Sequence, residues 1–192
     1  MPDHYATIIE TVRLRLRPFR QEDWAAVHEY ATDPEISRFQ DWGPNSEQDT
    51  RSFVAKCIES SGNPKSRSYY FSINLLGDDQ HIGGCVLTLD PHSIKRASVG
   101  YTIARPYWKL GYATEAASEL LKYGFTVLSL RSITGSCDAS NVASRRVMEK
   151  AGMRLSQTER NAKFFKGRWR DFLEYEITYD VWRLEHENRQ KA

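Results

Sequence analysis

A chain of 192 residues can bury one full core and is short for two domains of ordinary size. Its 27 lysines and arginines against 25 aspartates and glutamates give a formal net charge of +2, so charge offers no reason to expect a nucleic acid or an acidic membrane as partner. The three cysteines, Cys57, Cys85 and Cys137, are odd in number, far apart and outside any CxxC pair, which argues against a disulfide framework or a zinc site and for a reducing compartment.

No apolar run approaches the ~18 residues of a membrane span, and the opening MPDHYATIIE lacks the basic-then-apolar order of a signal peptide. A soluble, cytoplasmic protein is expected. No repeat, low-complexity stretch or linker divides the chain, which reads as one domain over 1–192, with a core from 9 to 183 and a charged tail from 184.

Thr11 to Leu16 alternates Val12, Leu14 and Leu16 with polar residues and predicts a half-buried strand ended by Pro18. Residues 21 to 31 place Trp24, Val27 and Ala31 on one helical face, stopped by Asp33-Pro34 before a short turn at 34 to 39. Ser46 with Asp49 forms the pattern of a capping box for a helix reaching about Ile58. Three strands follow, at 68–75, 81–89 and 97–103, separated by turn residues, and predict an antiparallel meander.

Beyond the meander the pattern becomes helix (113–125), strand (132–137), helix (141–151), strand (153–158) and a last strand around 169 to 182. In the first of these helices Ala113, Ala116, Ala117, Leu120, Leu121, Gly124 and Phe125 mark one buried face. In the second, Asn141 is a fitting N-cap and Gly152 a fitting C′ residue, with Ala143, Val147 and Ala151 buried.

The segment YWKLGYATEA at 107–116 joins the strand VGYTI to the first of these helices through a turn centred on Gly111. Gly111 can take a positive φ, and the first amides of a helix have no partner inside it, so this junction can hold a phosphate. The same glycine can instead simply cap a tight turn.

VRLRLRPFRQEDW, DPEISRF, VGYTIARPYWKLGYATEA, NVASRRVMEKAGM and DFLEYEI, in that order over nearly the whole chain, resemble the GNAT superfamily of N-acetyltransferases. They resemble most its branch like the RimJ/RimL ribosomal-protein N-terminal acetyltransferases. The resemblance implies an α/β (α+β) fold with a mixed central sheet of about six to seven strands and about four helices. It also implies acetyl-CoA as cosubstrate, no metal, and a primary amine as acceptor, foremost an α-amino group of a protein or peptide. The alternatives are a small amine (antibiotic, polyamine or amino acid) or a CoA-binding regulatory module without catalysis. A homodimer is a further candidate assembly.

The family's phosphate loop, Q/R-x-x-G-x-G/A, falls on Trp108 to Ala113, with Trp108 in place of Gln or Arg. By resemblance, amides of Lys109, Leu110, Gly111, Tyr112, Ala113 and Thr114 bind the pyrophosphate. Tyr101, Thr102 and Ile103 pair with the pantetheine arm, an amide near Ile103 serving as oxyanion donor. Asn141 contacts the pantetheine amides. Ser144 lies near the thiol, unless it is an ordinary solvent-facing helix serine.

Two positions depart from the family pattern: Met148 stands where a general-acid Tyr is common, and Ser98 where a Glu base is common. Ser144 then becomes the candidate proton donor, and Asp171 and Glu115 the candidate bases. Asp171 can equally pair with nearby arginines, and Glu115 can equally favour the helix dipole. His81 and His92, each beside a turn, read as surface residues. Lys109, Arg145, Arg146 and Lys150 are candidates for the 3′-phosphate. Trp24, Phe39, Trp42 and Tyr69-Tyr70-Phe71 are candidates for an aromatic acceptor wall, with core packing as their other reading.

Overall fold

The computed structural model describes residues 7–190. One eight-stranded sheet carries β1 (Ile9–Glu10), β2 (Leu14–Arg17), β3 (Ser68–Leu75), β4 (His81–Asp90), β5 (Ser93–Ile103), β6 (Ser132–Asp138), β7 (Arg154–Phe165) and β8 (Arg168–Thr178). Their order is β1-β2-β3-β4-β5-β6-β8-β7. Every pairing is antiparallel except β5 with β6. That parallel pair needs a crossover, supplied by α4 (Tyr112–Thr126).

Strand alternation divides the buried residues between two cores. Tyr69, Phe71 and Ile73 face the larger one, with Leu120 and Leu121 of α4 and Met148 of α5 (Val142–Lys150). Tyr70 turns the other way, toward Phe19 and toward α1 (Trp24–Ala31) and α3 (Glu47–Gly62), which contribute Val27, Tyr30, Ala31, Val54 and Cys57. The remaining helices are the one-turn α2 (Pro34–Ser37) and the C-terminal α6 (Tyr179–Gln190). Among the described residues, eight strands and six α-helices thus exceed the six to seven and four implied by the resemblance. No helix among the described residues is long and apolar enough to cross a membrane.

Several boundaries differ from the sequence pattern. The predicted strand at 11–16 begins only at Leu14, and Val12 is 91% exposed. Thr11 Oγ1 accepts the Leu14 amide (2.9 Å), which bends 11–13 into a side-chain-stabilised turn after β1. The predicted turn at 34–39 contains α2, capped by Asp33 on the Glu35 amide. The capping box at Ser46 and Asp49 is present, but its helix runs on to Gly62.

The strand predicted at 153–158 extends to Phe165 through two register shifts, and returns through Lys166-Gly167, both with positive φ, as two-residue hairpins require. The strand predicted to 182 stops at Thr178, where α6 begins. Trp182 stacks on His186 one turn on (5.1 Å) and packs on Phe125, which favours the helix. On α5 the buried line runs through the half-buried Ser144, Met148 and Ala151, while Ala143 is exposed, one residue off the predicted face.

Candidate active site

The parallel pairing of β5 and β6 spans only Arg96–Ser98 against Ser132–Thr134. Beyond it β5 continues to Ile103 and β6 to Asp138 without pairing to each other, so the sheet opens into a gap. The Ala104 amide donates to the Ile82 carbonyl (2.8 Å), which fixes the phase of the antiparallel β4–β5 ladder. By alternation Thr102 bonds to β4, while the backbone groups of Tyr101 and Ile103 turn to the gap. Trp108 Nε1 donates to the Ile103 carbonyl (2.6 Å), consistent with that direction. A cavity of about 720 Å³ runs through the gap, lined there by Val99, Tyr101, Thr102, Cys137, Asn141 and Ser144. Ile103 itself, 7% exposed, is not in this lining, so the gap-facing backbone that reaches the cavity is that of Tyr101.

At the end of β5 the chain makes a 3-10 turn (Arg105–Tyr107) and enters α4 through Lys109 and Gly111, with φ of +65° and +88°. Gly111 is the N-cap and offers no side chain, and the Glu115 amide bonds to the Gly111 carbonyl (3.0 Å). The amides ahead of Glu115 therefore lack partners within the helix. Glu115 is not a free base. Its carboxylate accepts Thr11 Oγ1 (2.6 Å), the Arg13 amide (3.0 Å) and Arg13 Nε (2.7 Å), and pairs with Arg13 Nη2 (2.6 Å). Burial alone would raise its pKa, but the Thr11 and Arg13 hydrogen bonds hold it below the usual carboxylate value.

Across the gap Asn141 caps α5 by accepting the Ser144 amide on Oδ1 (3.1 Å), which leaves its side-chain N–H₂ without a partner among the described residues. The Tyr101 hydroxyl reaches over from β5 to the Ser144 carbonyl (3.1 Å) and Ser144 Oγ (3.0 Å). Burial pushes the Tyr101 phenol well above its ordinary value, against a smaller lowering by Ser144. Burial likewise moves the Cys137 thiol up to about 11, partly offset by the nearby Ser144 hydroxyl. Met148, 2% exposed, lines the cavity beside them.

The other part of the cavity is an aromatic wall of Phe19, Tyr30, Phe39, Trp42, Phe53 and Tyr70. Of the expected wall residues, Tyr69 and Phe71 belong to the opposite core, packed on Tyr123, and Trp24 lies under the Arg51 guanidinium (3.4 Å). Asp171 is also displaced from its expected role. It is exposed, its Oδ1 accepts the Asn161 amide (2.8 Å), and it does not line the cavity, because β8 alternation gives that face to Phe172.

The buried acid at this end is Asp138, bonded to Arg170 (2.8 Å), a pair that sequence spacing does not suggest because its members lie on separate strands. Asp49 in the lining is bound by Ser46, and Asp41 has no hydrogen bond or ion pair among the described residues. His81, expected at the surface, is half-buried, stacked on Tyr30. No group of three or more His, Cys, Asp or Glu positioned for a metal occurs among the described residues.

Among the described residues the sheet parts between its one parallel pair of strands, and the chain enters α4 from the end of β5 on the rim of that gap. The chain belongs to the GNAT acetyltransferases: residues 13–154 match the family described as Acetyltransferase (GNAT) domain. An uncharacterized N-acetyltransferase of Bacillus subtilis is 32% identical over 176 residues, which cover 91% of this chain and 98% of that one. A GNAT-family acetyltransferase from Bacillus anthracis superposes with a TM-score of 0.81 at 33% identity, over 91% of this chain and 99% of that one. RimL, the ribosomal L7/L12 alpha-N-protein acetyltransferase, in complex with coenzyme A, shares the fold with a TM-score of 0.81 at 19% identity, over 91% and 99%. The protein is an acetyl-transferring enzyme.

Proposed function

We propose that this enzyme transfers acetyl from acetyl-CoA to an α-amino group of a protein or peptide in the cytoplasm, as the RimJ/RimL branch does. The observation that carries the acceptor class is the acid inventory of the cavity: Asp49 is bound by Ser46, Asp138 by Arg170, and the exposed Asp41 faces the Lys166 charge. With so little provision for a base, an acceptor already partly neutral is favoured. Near pH 7 roughly a tenth of α-amino groups are neutral, against roughly one in a few thousand lysine-type amines. A polyamine would also call for several free acids, whereas the wall here is aromatic.

In this reading the α4 amides hold the pyrophosphate and the Tyr101 backbone faces the thioester. Asn141 binds the pantetheine amides, and the exposed Lys109, Arg146 and Lys150 serve the 3′-phosphate. As the carbon–sulfur bond breaks, Ser144 Oγ passes its proton to the departing thiolate and regains one from water, while the proton lost by the amine passes to water through the open cavity.

Thiol release from acetyl-CoA should be measured with free N-terminal peptides, N-terminally blocked lysine peptides, and polyamines. Free N-termini are expected to give the highest kcat/KM. Preferential turnover of blocked lysine peptides or polyamines would overturn the acceptor assignment and leave the enzyme class intact.

A further inference from the structure

We propose that Arg13 and Glu115 are positioning residues that hold the 109–111 loop in its anion-receiving shape, setting acetyl-CoA affinity without touching the ligand. This rests on reading the Gly111 loop as the diphosphate seat. The turn after β1 brings Thr11 and Arg13 against the first turn of α4, where four donors converge on the Glu115 carboxylate. So anchored, Arg13 extends Nη1 to the Leu110 carbonyl (3.0 Å) and lies over the Tyr112 ring (4.5 Å). One guanidinium thus grips both neighbours of Gly111.

The grip has a directional consequence. The Leu110 carbonyl and the Gly111 amide belong to one planar trans peptide and point opposite ways. Fixing the carbonyl on Arg13 therefore aims the Gly111 N–H away from Arg13, as an anion seat requires, and prevents a peptide flip that would present a carbonyl to a phosphate. Two left-handed residues within three, Lys109 and Gly111, form a loop that needs such external support. Because Glu115 neutralises Arg13, the pair acts through geometry more than through charge.

The test uses the full chain as wild type, Glu115→Gln and Arg13→Lys, with acetyl-CoA and with S-acetylpantetheine, which lacks the diphosphate. Both variants are expected to raise KM for acetyl-CoA about tenfold, the loss of one charge-assisted contact, with kcat held within about twofold. Their kcat/KM with S-acetylpantetheine should stay at the wild-type value. Equal losses with both donors, or no change in KM, would overturn the proposal. So would a wild-type KM in Arg13→Lys, which would mean that Arg13 serves as a charge facing the phosphate. A wild type that uses both donors equally well would instead defeat the diphosphate seat itself.

Discussion

Met148 occupies the cavity wall beside Ser144 but has no proton to give, so proton delivery to the leaving thiolate depends on what surrounds Ser144. The Tyr101 phenol, kept protonated by burial, lies within hydrogen-bond distance of both Ser144 oxygens, so it can orient the serine hydroxyl. Ser144→Ala should lower kcat by roughly tenfold to a hundredfold, the low end for a positioned proton donor because a thiolate leaves readily. If Tyr101 acts through Ser144, Tyr101→Phe lowers kcat too, and the double variant is no slower than Ser144→Ala alone. Thiol-release kinetics on the three variants decide this, and additive losses would separate the two residues. Asn141 was legible as a helix N-cap, whereas Ser144 entered only through the family resemblance. The Tyr101 hydroxyl was not legible, because its partner lies 43 positions away across the gap.

At the scale of elements, the periodic segments were legible wherever one face is buried: α4 and the β3–β5 meander lie within a residue or a few of their predicted bounds. Prediction failed where a side chain far along the chain decides the backbone. Thr11 leaves the strand pattern because its hydroxyl serves both the Leu14 amide and Glu115, and Asp171 leaves the site because it ties down the bulged β7 at Asn161. The α4 N-terminus supports a sharper expectation. A built Cβ on Gly111 meets Arg13 Nη2 at 3.4 Å, an ordinary contact, so space is available and the +88° φ is the obstacle. Gly111→Val should distort the loop at a cost of about 1–3 kcal/mol while leaving the buried face of α4 in place. Calorimetry should then show CoA affinity reduced about tenfold or more with helical circular dichroism retained. Unchanged affinity would remove the diphosphate seat from this loop.

At the scale of the whole molecule, a buried polar cluster borders the smaller core on the α1/α3 face of the sheet, and no local pattern announced it, since its members come from β2, the turn before α1, β3 and β4. Arg17 and Asp23 form a two-bond ion pair (2.8 Å each), Arg17 reaches Asn74 (3.2 Å), and His81 Nδ1 meets Ser72 (2.8 Å). His81 stacks on Tyr30 and tilts against Phe19, both in the aromatic wall, and its Nε2 is buried with no hydrogen-bond partner among the described residues. Burial pushes its pKa down to about 4, with Asp23 pulling upward and Arg17 adding to the lowering. Between the unfolded value near 6.5 and about 4, the unfolded chain binds the proton that the folded chain refuses. The contribution is therefore complete above pH 6.5, declines as pH falls through that window, and by pH 5 has cost on the order of 2 kcal/mol. Urea unfolding at pH 7.5 and pH 5 should show that loss in the wild type and much less of it in His81→Gln, whose amide fills similar space without titrating. Equal losses in the two proteins would assign the acid sensitivity to carboxylates such as Asp23, whose pKa burial raises but Arg17 holds below its ordinary value, and would free the aromatic wall from any dependence on His81.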